Sequence, residues 1–211
     1  MQLYKHENLI EVGIDEAGRG CLNGRVYAAA VIFPTNIDDD IYTQIKDSKK
    51  LSKKKRDILR KYIEEKSLAF GVGYVDEKEI DNTNILKASY RAMHIALDKI
   101  NQPYDHILVD GPRFSPYMDK QDNFISYSCI PKGDNLYYSI AAASILAKVY
   151  HDEYIQRICS ENPSLDEKYG WLSNMGYGTL KHMAGIQKHG TCIYHRKTFG
   201  PCKTTASDTD S

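Results

Sequence analysis

The chain has 211 residues, its 28 lysines and arginines balance 28 aspartates and glutamates, and 42% of it is hydrophobic. That suits one globular domain with a full core, and a zero net charge means that any nucleic-acid partner must be held by a local basic patch. No apolar run nears the roughly 18–20 residues of a bilayer span, the N-terminal stretch Met1 to Glu11 lacks a signal-peptide core, and five cysteines without a CxxC pair support neither a disulfide framework nor a zinc site, which points to a reducing, cytoplasmic setting.

In chain order, residues 9–15 and 26–33 are short apolar runs on either side of the turn Gly18-Arg19-Gly20, and they read as a hairpin or as adjacent buried strands. Pro34 and Asp38-Asp39-Asp40 predict a loop. Ser52 caps a helix reaching about Lys66. Residues 68–75 read as a strand containing Gly71 and Gly73. Asn84 opens a helix to about Ile100, with Ile85, Ala88, Ala92, Ile95 and Ala96 at helical spacing. Residues 106–110 form a strand ending in Asp110, and residues 124–130 another. Ser139 to Ile158 is a long helix, apolar on most sides and therefore buried. Gly170 to Gly178 is a glycine-punctuated loop, and 179–189 a short helix. Lys203 to Ser211 is a flexible polar tail. Strands come first and then alternate with helices, which predicts an α/β domain with a mixed sheet.

Asp15 and Glu16 end an apolar run, where carboxylates are costly to desolvate unless a cation sits with them. In a regular strand the two would point to opposite faces, so both serve one site only if the strand ends or bulges there. Asp110 repeats the pattern before Gly111, and Asp134 precedes the long helix. Together these acids predict one cluster. Clustered carboxylates repel, and a hard divalent cation relieves them, Mg²⁺ or Mn²⁺ rather than zinc. Two such ions about 4 Å apart suit phosphoryl transfer.

Seven of the eleven residues from Lys46 to Arg56 are basic, and Lys53, Lys54, Lys55 and Arg56 fall in the first turn after Ser52. There they oppose the helix dipole unless a phosphate binds. Gly18 to Gly24 is similar to a dinucleotide fingerprint, but its third glycine is late and a strand follows. Trp171 anchors the C-terminal loop in this reading, His189 and His195 are structural or surface residues, Cys21 packs, and Ser139 and Ser144 cap or pack the long helix.

Seven segments carry a resemblance: Gly13-Ile-Asp-Glu-Ala-Gly-Arg-Gly20, Asp47-Ser-Lys-Lys-Leu-Ser52, Ile107-Leu-Val-Asp-Gly111, Lys132-Gly-Asp134, Ser139 to Val149, Gly176-Tyr-Gly-Thr179 and His195 to Pro201. In this order they resemble the ribonuclease HII family from about residue 9 to 202. The resemblance implies a ribonuclease H-like mixed sheet flanked by helices, spanning about 9–160, with a C-terminal helical part to about 202. It implies cleavage of RNA in RNA–DNA hybrids and incision 5′ of single ribonucleotides in duplex DNA, leaving 3′-OH and 5′-phosphate ends. The family's metal-site acids map onto Asp15, Glu16, Asp110 and Asp134. Its ribose-reading loop maps onto Gly18, Arg19 and Gly20, its junction-sensing tyrosine onto Tyr177, and its phosphate contacts onto Lys49 and Lys50. A monomer is expected, with two Mg²⁺ or Mn²⁺ ions and no membrane partner.

This chain departs from the family pattern at Asn174-Met175, where His-Lys is usual, at His151, where arginine is frequent, and at Asn23, a position usually small or apolar. The turn after the acid pair, and the lack of room for an extra N-terminal domain, set it apart from the type 3 branch. Two other readings are a nucleic-acid-binding module without catalysis, which the presence of all four acids opposes, and a superfamily enzyme cutting DNA junctions.

Overall fold

A computed structural model describes residues 1–37 and 39–203. Asp38 of the expected acidic loop, and the expected tail beyond Lys203, lie outside the described residues.

Six strands form one sheet in the order β3-β2-β1-β4-β6-β5. They are β1 (Glu11–Ala17), β2 (Val26–Ile32), β3 (Ala69–Val75), β4 (His106–Asp110), β5 (Tyr117–Met118) and β6 (Phe124–Ile130). β1 to β3 are antiparallel neighbours, whereas β4 lies parallel to both β1 and β6. The mixed α/β sheet expected from the sequence is therefore present. Its helices are α1 (Lys53–Lys66), α2 (Glu77–Asn82), α3 (Ile85–Leu97), α4 (Tyr138–Glu161), α5 (Ser164–Tyr169), α6 (Trp171–Asn174) and α7 (Leu180–His189).

The two faces of the sheet pack by different means. On one, α3 lies so close that a Cβ on Gly73 would sit 2.2 Å from the Ala92 carbonyl oxygen, and one on Gly71 2.2 Å from that of Ala96. Glycines on β3, and buried Ala88, Ala92 and Ala96 on α3, permit that approach. On the other face α4 crosses β1 and β2, with α1 beside it. A Cβ on Gly13 would meet the Ser139 backbone at 2.3 Å. Ala141, Ala142, Ala143, Ile145 and Leu146 are fully buried, as the all-round apolar pattern predicts.

Helix starts follow their caps. The side chains of Ser52, Asn84 and Thr179 accept from the N–H groups of Lys55, Lys87 and His182. Three short elements were not expected: α2, α5 and β5. The glycine-rich segment 170–178 also holds a single helical turn, α6, rather than loop alone.

Candidate active site

The parallel partner of β1 leaves before its antiparallel partner does. β4 pairs with β1 only up to Ile14 alongside Val109, while β2 follows β1 to Ala17. The sheet splits at this point. The next residues along the two parallel strands are Asp15 and Asp110, neighbours on one face of the sheet. No bulge separates Asp15 from Glu16, because β1 keeps its register with β2 through both. The expected break comes only after Ala17, and the two acids reach the split from opposite faces.

Asp15 is buried, and its pKa is raised well above the usual carboxylate range. Desolvation is the main cause, followed by repulsion from Glu16, Asp110 and Asp134, partly offset by the Glu16 N–H that donates to its Oδ1 at 2.7 Å. Burial also raises Asp110, whose Oδ1 accepts from the Gly133 N–H at 2.7 Å. Asp134 is raised by burial, then by Asp110 and Asp47, and accepts from Asn135 at 2.7 Å. It lies in a 3-10 turn, Gly133–Asn135, and caps no helix. Glu16 pairs with Arg19 at 2.9 Å. The Lys49 ammonium partly offsets the rise at both Asp110 and Asp134.

The four acids are thus electrostatic neighbours, yet among the described residues no three acid, histidine or cysteine side chains already converge on one point. Each carboxylate is drawn to its own nearby donor. A set of buried and half-buried, mutually repelling carboxylate oxygens fits a hard divalent cation in chemistry, though not as a finished cage. A cleft of about 310 Å³ opens beside Glu16 and Asp110, with Arg19, Tyr90 and Arg113 among its walls. A larger cavity of about 420 Å³ at the β5 edge holds none of the predicted site residues, and its size alone assigns it no role.

The glycine turn and Tyr177 meet on the neighbouring side. Cys21 bridges Tyr177 in antiparallel fashion, and a Cβ on Gly20 would lie 3.7 Å from the Tyr177 ring. Gly18 has φ +89°, and His151 fills the space where its Cβ would go, at 2.5 Å. That histidine, one of the departures, is fully buried and bonds Asp152 at 3.0 Å. Asn174, another departure, ties the turn before Tyr177 by donating to the Tyr169 carbonyl and accepting from the Gly176 N–H, each at 2.8 Å. Burial and the adjacent Cys21 thiol push the Tyr177 hydroxyl up to about 12, so it stays neutral at pH 7. Burial lifts the Cys21 thiol to about 11, consistent with a packing role.

The basic stretch divides. Arg56 donates to the Leu51 carbonyl at 2.7 Å, Lys55 to Gln44 and Lys50 to Asn135, next to Asp134. Lys49, Lys53 and Lys54 remain exposed.

All ten predicted site residues thus gather around one end of β1. Sequence reasoning missed Arg196. It is fully buried, and its guanidinium donates to the carbonyls of Gly18 at 2.8 Å, Arg19 at 3.0 Å, Cys21 at 2.8 Å and Gly24 at 3.0 Å. The one signal for it in the sequence is its place within His195 to Pro201, a segment that carries the family resemblance.

A family model described as Ribonuclease HII matches residues 12–202. The chain is 50% identical over 196 residues to the Ribonuclease HII of Bacteroides thetaiotaomicron, covering 93% of this chain and 92% of that one. Its fold is similar to the crystal structure of the ribonuclease H2 from Pyrococcus horikoshii OT3, with TM-score 0.71 and 22% identity, over 91% of this chain and 94% of that one. It is also similar to Bst-RNase HIII in complex with Mn²⁺, with TM-score 0.62 and 22% identity, over 92% of this chain and 68% of that one. No described helix is long and apolar enough to cross a membrane.

Proposed function

The chain belongs to the ribonuclease HII family and is an endoribonuclease of the ribonuclease H type, and from that premise we propose that it cuts RNA in RNA–DNA hybrids and also incises duplex DNA 5′ of a single ribonucleotide. The products are a 3′-OH and a 5′-phosphate. The observation that carries this reading is that the carboxylates at the split between β1 and β4 run directly into the Gly18–Gly20 turn, which packs against Tyr177 and is tied back to Glu16 through Arg19.

In this reading Asp15, Glu16, Asp110 and Asp134 hold the divalent cations. Two ions, Mg²⁺ or Mn²⁺, would supply Lewis acidity to the attacking water and neutralise charge on the departing 3′ oxygen. The exposed amides of Arg19 and Gly20 have no acceptor among the described residues and face the ribose 2′-OH, the group that separates RNA from DNA. Tyr177 packs its ring on the sugar at the RNA–DNA junction. Lys49, an exposed ammonium whose charge reaches Asp110 and Asp134, contributes positive charge on the phosphate side of the site, and Lys50 supports the same strand. Glu16 restrains Arg19, which couples the reading turn to the cutting acids. The chain acts as a monomer in the cytoplasm.

The test uses duplex DNA with one embedded ribonucleotide in Mg²⁺ or Mn²⁺. We expect a single cut on its 5′ side and a loss of about 10²–10³-fold for Asp110→Asn, the scale of removing a preorganised electrostatic group. No incision by the intact chain, or undiminished incision by Asp110→Asn, would sink the proposal. Cutting of a Holliday junction but not of this duplex would select the junction reading instead.

A further inference from the structure

His195 and Arg196 are adjacent in sequence and diverge into the two halves of the site. Arg196 uses the planar fork of its guanidinium to hold four carbonyls of the 18–24 turn, and no carboxylate pairs with it among the described residues. Burying an unpaired cation is expensive, and these carbonyl dipoles, with the Phe199 ring 5.1 Å from the guanidinium, stabilise it there. Peptide planarity gives the arrangement a direction. In a trans peptide the N–H points opposite to the C=O. With the carbonyls of Gly18 and Arg19 held inward by Arg196, the N–H groups of Arg19 and Gly20 must point outward. By the same logic the Cys21 carbonyl turns the Leu22 N–H, which donates to the Gly176 carbonyl at 2.8 Å and joins the turn to the residue before Tyr177.

His195 works on the other half. Its Nδ1 accepts from the Cys192 N–H at 2.9 Å, which leaves the proton on Nε2. That proton faces His182 Nε2 at 3.2 Å. His182 must then carry its own proton on Nδ1, which donates to the Tyr177 carbonyl at 3.0 Å, while its Nε2 also accepts from the Trp171 indole at 3.0 Å. Each imidazole then has a single neutral tautomer, with the Trp171 and His195 N–H groups sharing the one Nε2 lone pair of His182. Burial holds both below the usual histidine range, His195 at about 4, so both are neutral at pH 7. The chain of donors runs from the Cys192 amide through two rings to the backbone of Tyr177.

We infer that His195 and Arg196 are positioning residues for ribose recognition: Arg196 aims the Arg19 and Gly20 amides, and His195 acts through His182 to fix Tyr177 at the angle that completes the same pocket. Neither reaches the substrate. The inference rests on the reading that the turn and Tyr177 receive the ribose.

A double-mutant cycle tests the His195 half on duplex DNA carrying one ribonucleotide. His195→Phe keeps the ring volume but removes both hydrogen bonds. We expect kcat to fall about five- to tenfold, with KM within about twofold, the scale of one misdirected hydrogen bond. His195→Gln, whose amide donates near the position of Nε2, restores most of the rate. Added to Tyr177→Ala, His195→Phe costs less than about twofold more, because the residue it positions is gone. Losses that multiply in the double variant would overturn the inference, since a merely structural histidine acts independently of Tyr177. For Arg196, free guanidinium restores part of the kcat lost in Arg196→Ala, whereas methylammonium, an equal charge without the fork, does not. Equal rescue by both ions would overturn that half. A wild-type chain that fails to incise at all overturns the inference together with the reading beneath it, whereas the cycle and the rescue address the inference alone.

Discussion

Asp15→Asn keeps the shape of the side chain, and its amide oxygen can still accept from the Glu16 N–H, but a buried charge opposed by Glu16, Asp110 and Asp134 disappears. The folded pKa of Asp15 is raised, so its contribution to stability is fully present below the unfolded value near 4 and is lost as pH climbs through the folded value. The variant should therefore melt higher than the wild type, increasingly so between pH 5 and pH 8, at on the order of 2–4 °C per kcal/mol gained, while cleavage falls to background. Calorimetric melts at both pH values decide it, and a lower melting temperature for the variant at pH 8 refutes the argument. These acids were legible because a carboxylate closing a run of apolar residues has few bland explanations. Arg196 was not legible, since an arginine among loop residues reads as a surface cation. The partners that make it a buried clamp lie 172 to 178 positions away in sequence.

At the scale of elements, β1 and α4 touch through a residue that has no side chain. Gly13→Ala places a methyl 2.3 Å from the Ser139 backbone, and neither strand nor helix offers a flexible group that could yield. We expect a loss of about 1–3 kcal/mol or more, the range for overpacking, read as a lower urea midpoint at unchanged slope. Gly200→Ala, with nothing within 4 Å of its Cβ, serves as the silent control. The long elements showed in sequence through their periods: α3 by its spaced alanines, α4 by a pattern apolar all round. The elements that did not show are short. α2 and α5 have six residues each and β5 two, too few for a period to emerge. The basic first turn of α1 looked like a phosphate site, but Arg56 resolves part of that conflict internally by folding back onto the Leu51 carbonyl.

At the scale of the whole molecule, the segments around Gly176–Tyr177 and Tyr194–Arg196 pack against the turn that follows β1, so the proposed site is shared between the sheet side and this C-terminal part. Cys21 pairs with Tyr177 and Asn23 with His195 across that seam. In the proposed site, strands supply Asp15, Glu16 and Asp110, a 3-10 turn supplies Asp134, and the C-terminal part supplies Tyr177. A single ribonucleotide in duplex DNA gives the enzyme one sugar junction to find, whereas a long hybrid offers many ribose positions. Tyr177→Ala should accordingly lower cleavage at the single ribonucleotide by about tenfold or more, as for loss of a stacking aromatic, and cleavage of the long hybrid by less. Equal losses on both substrates, measured as kcat/KM, would contradict a junction-sensing role.

The clamp that Arg196 places on the 18–24 turn also has a bearing on synthesis. A ribosome makes the acids Asp15, Glu16, Asp110 and Asp134 first and Arg196 near the end of the chain. Until that arginine emerges, its four hydrogen bonds to the carbonyls of the turn are missing. In the proposed reading, chain order works as a timer: a nascent polypeptide carries all four acids before the residue that aims the ribose-reading amides has been made.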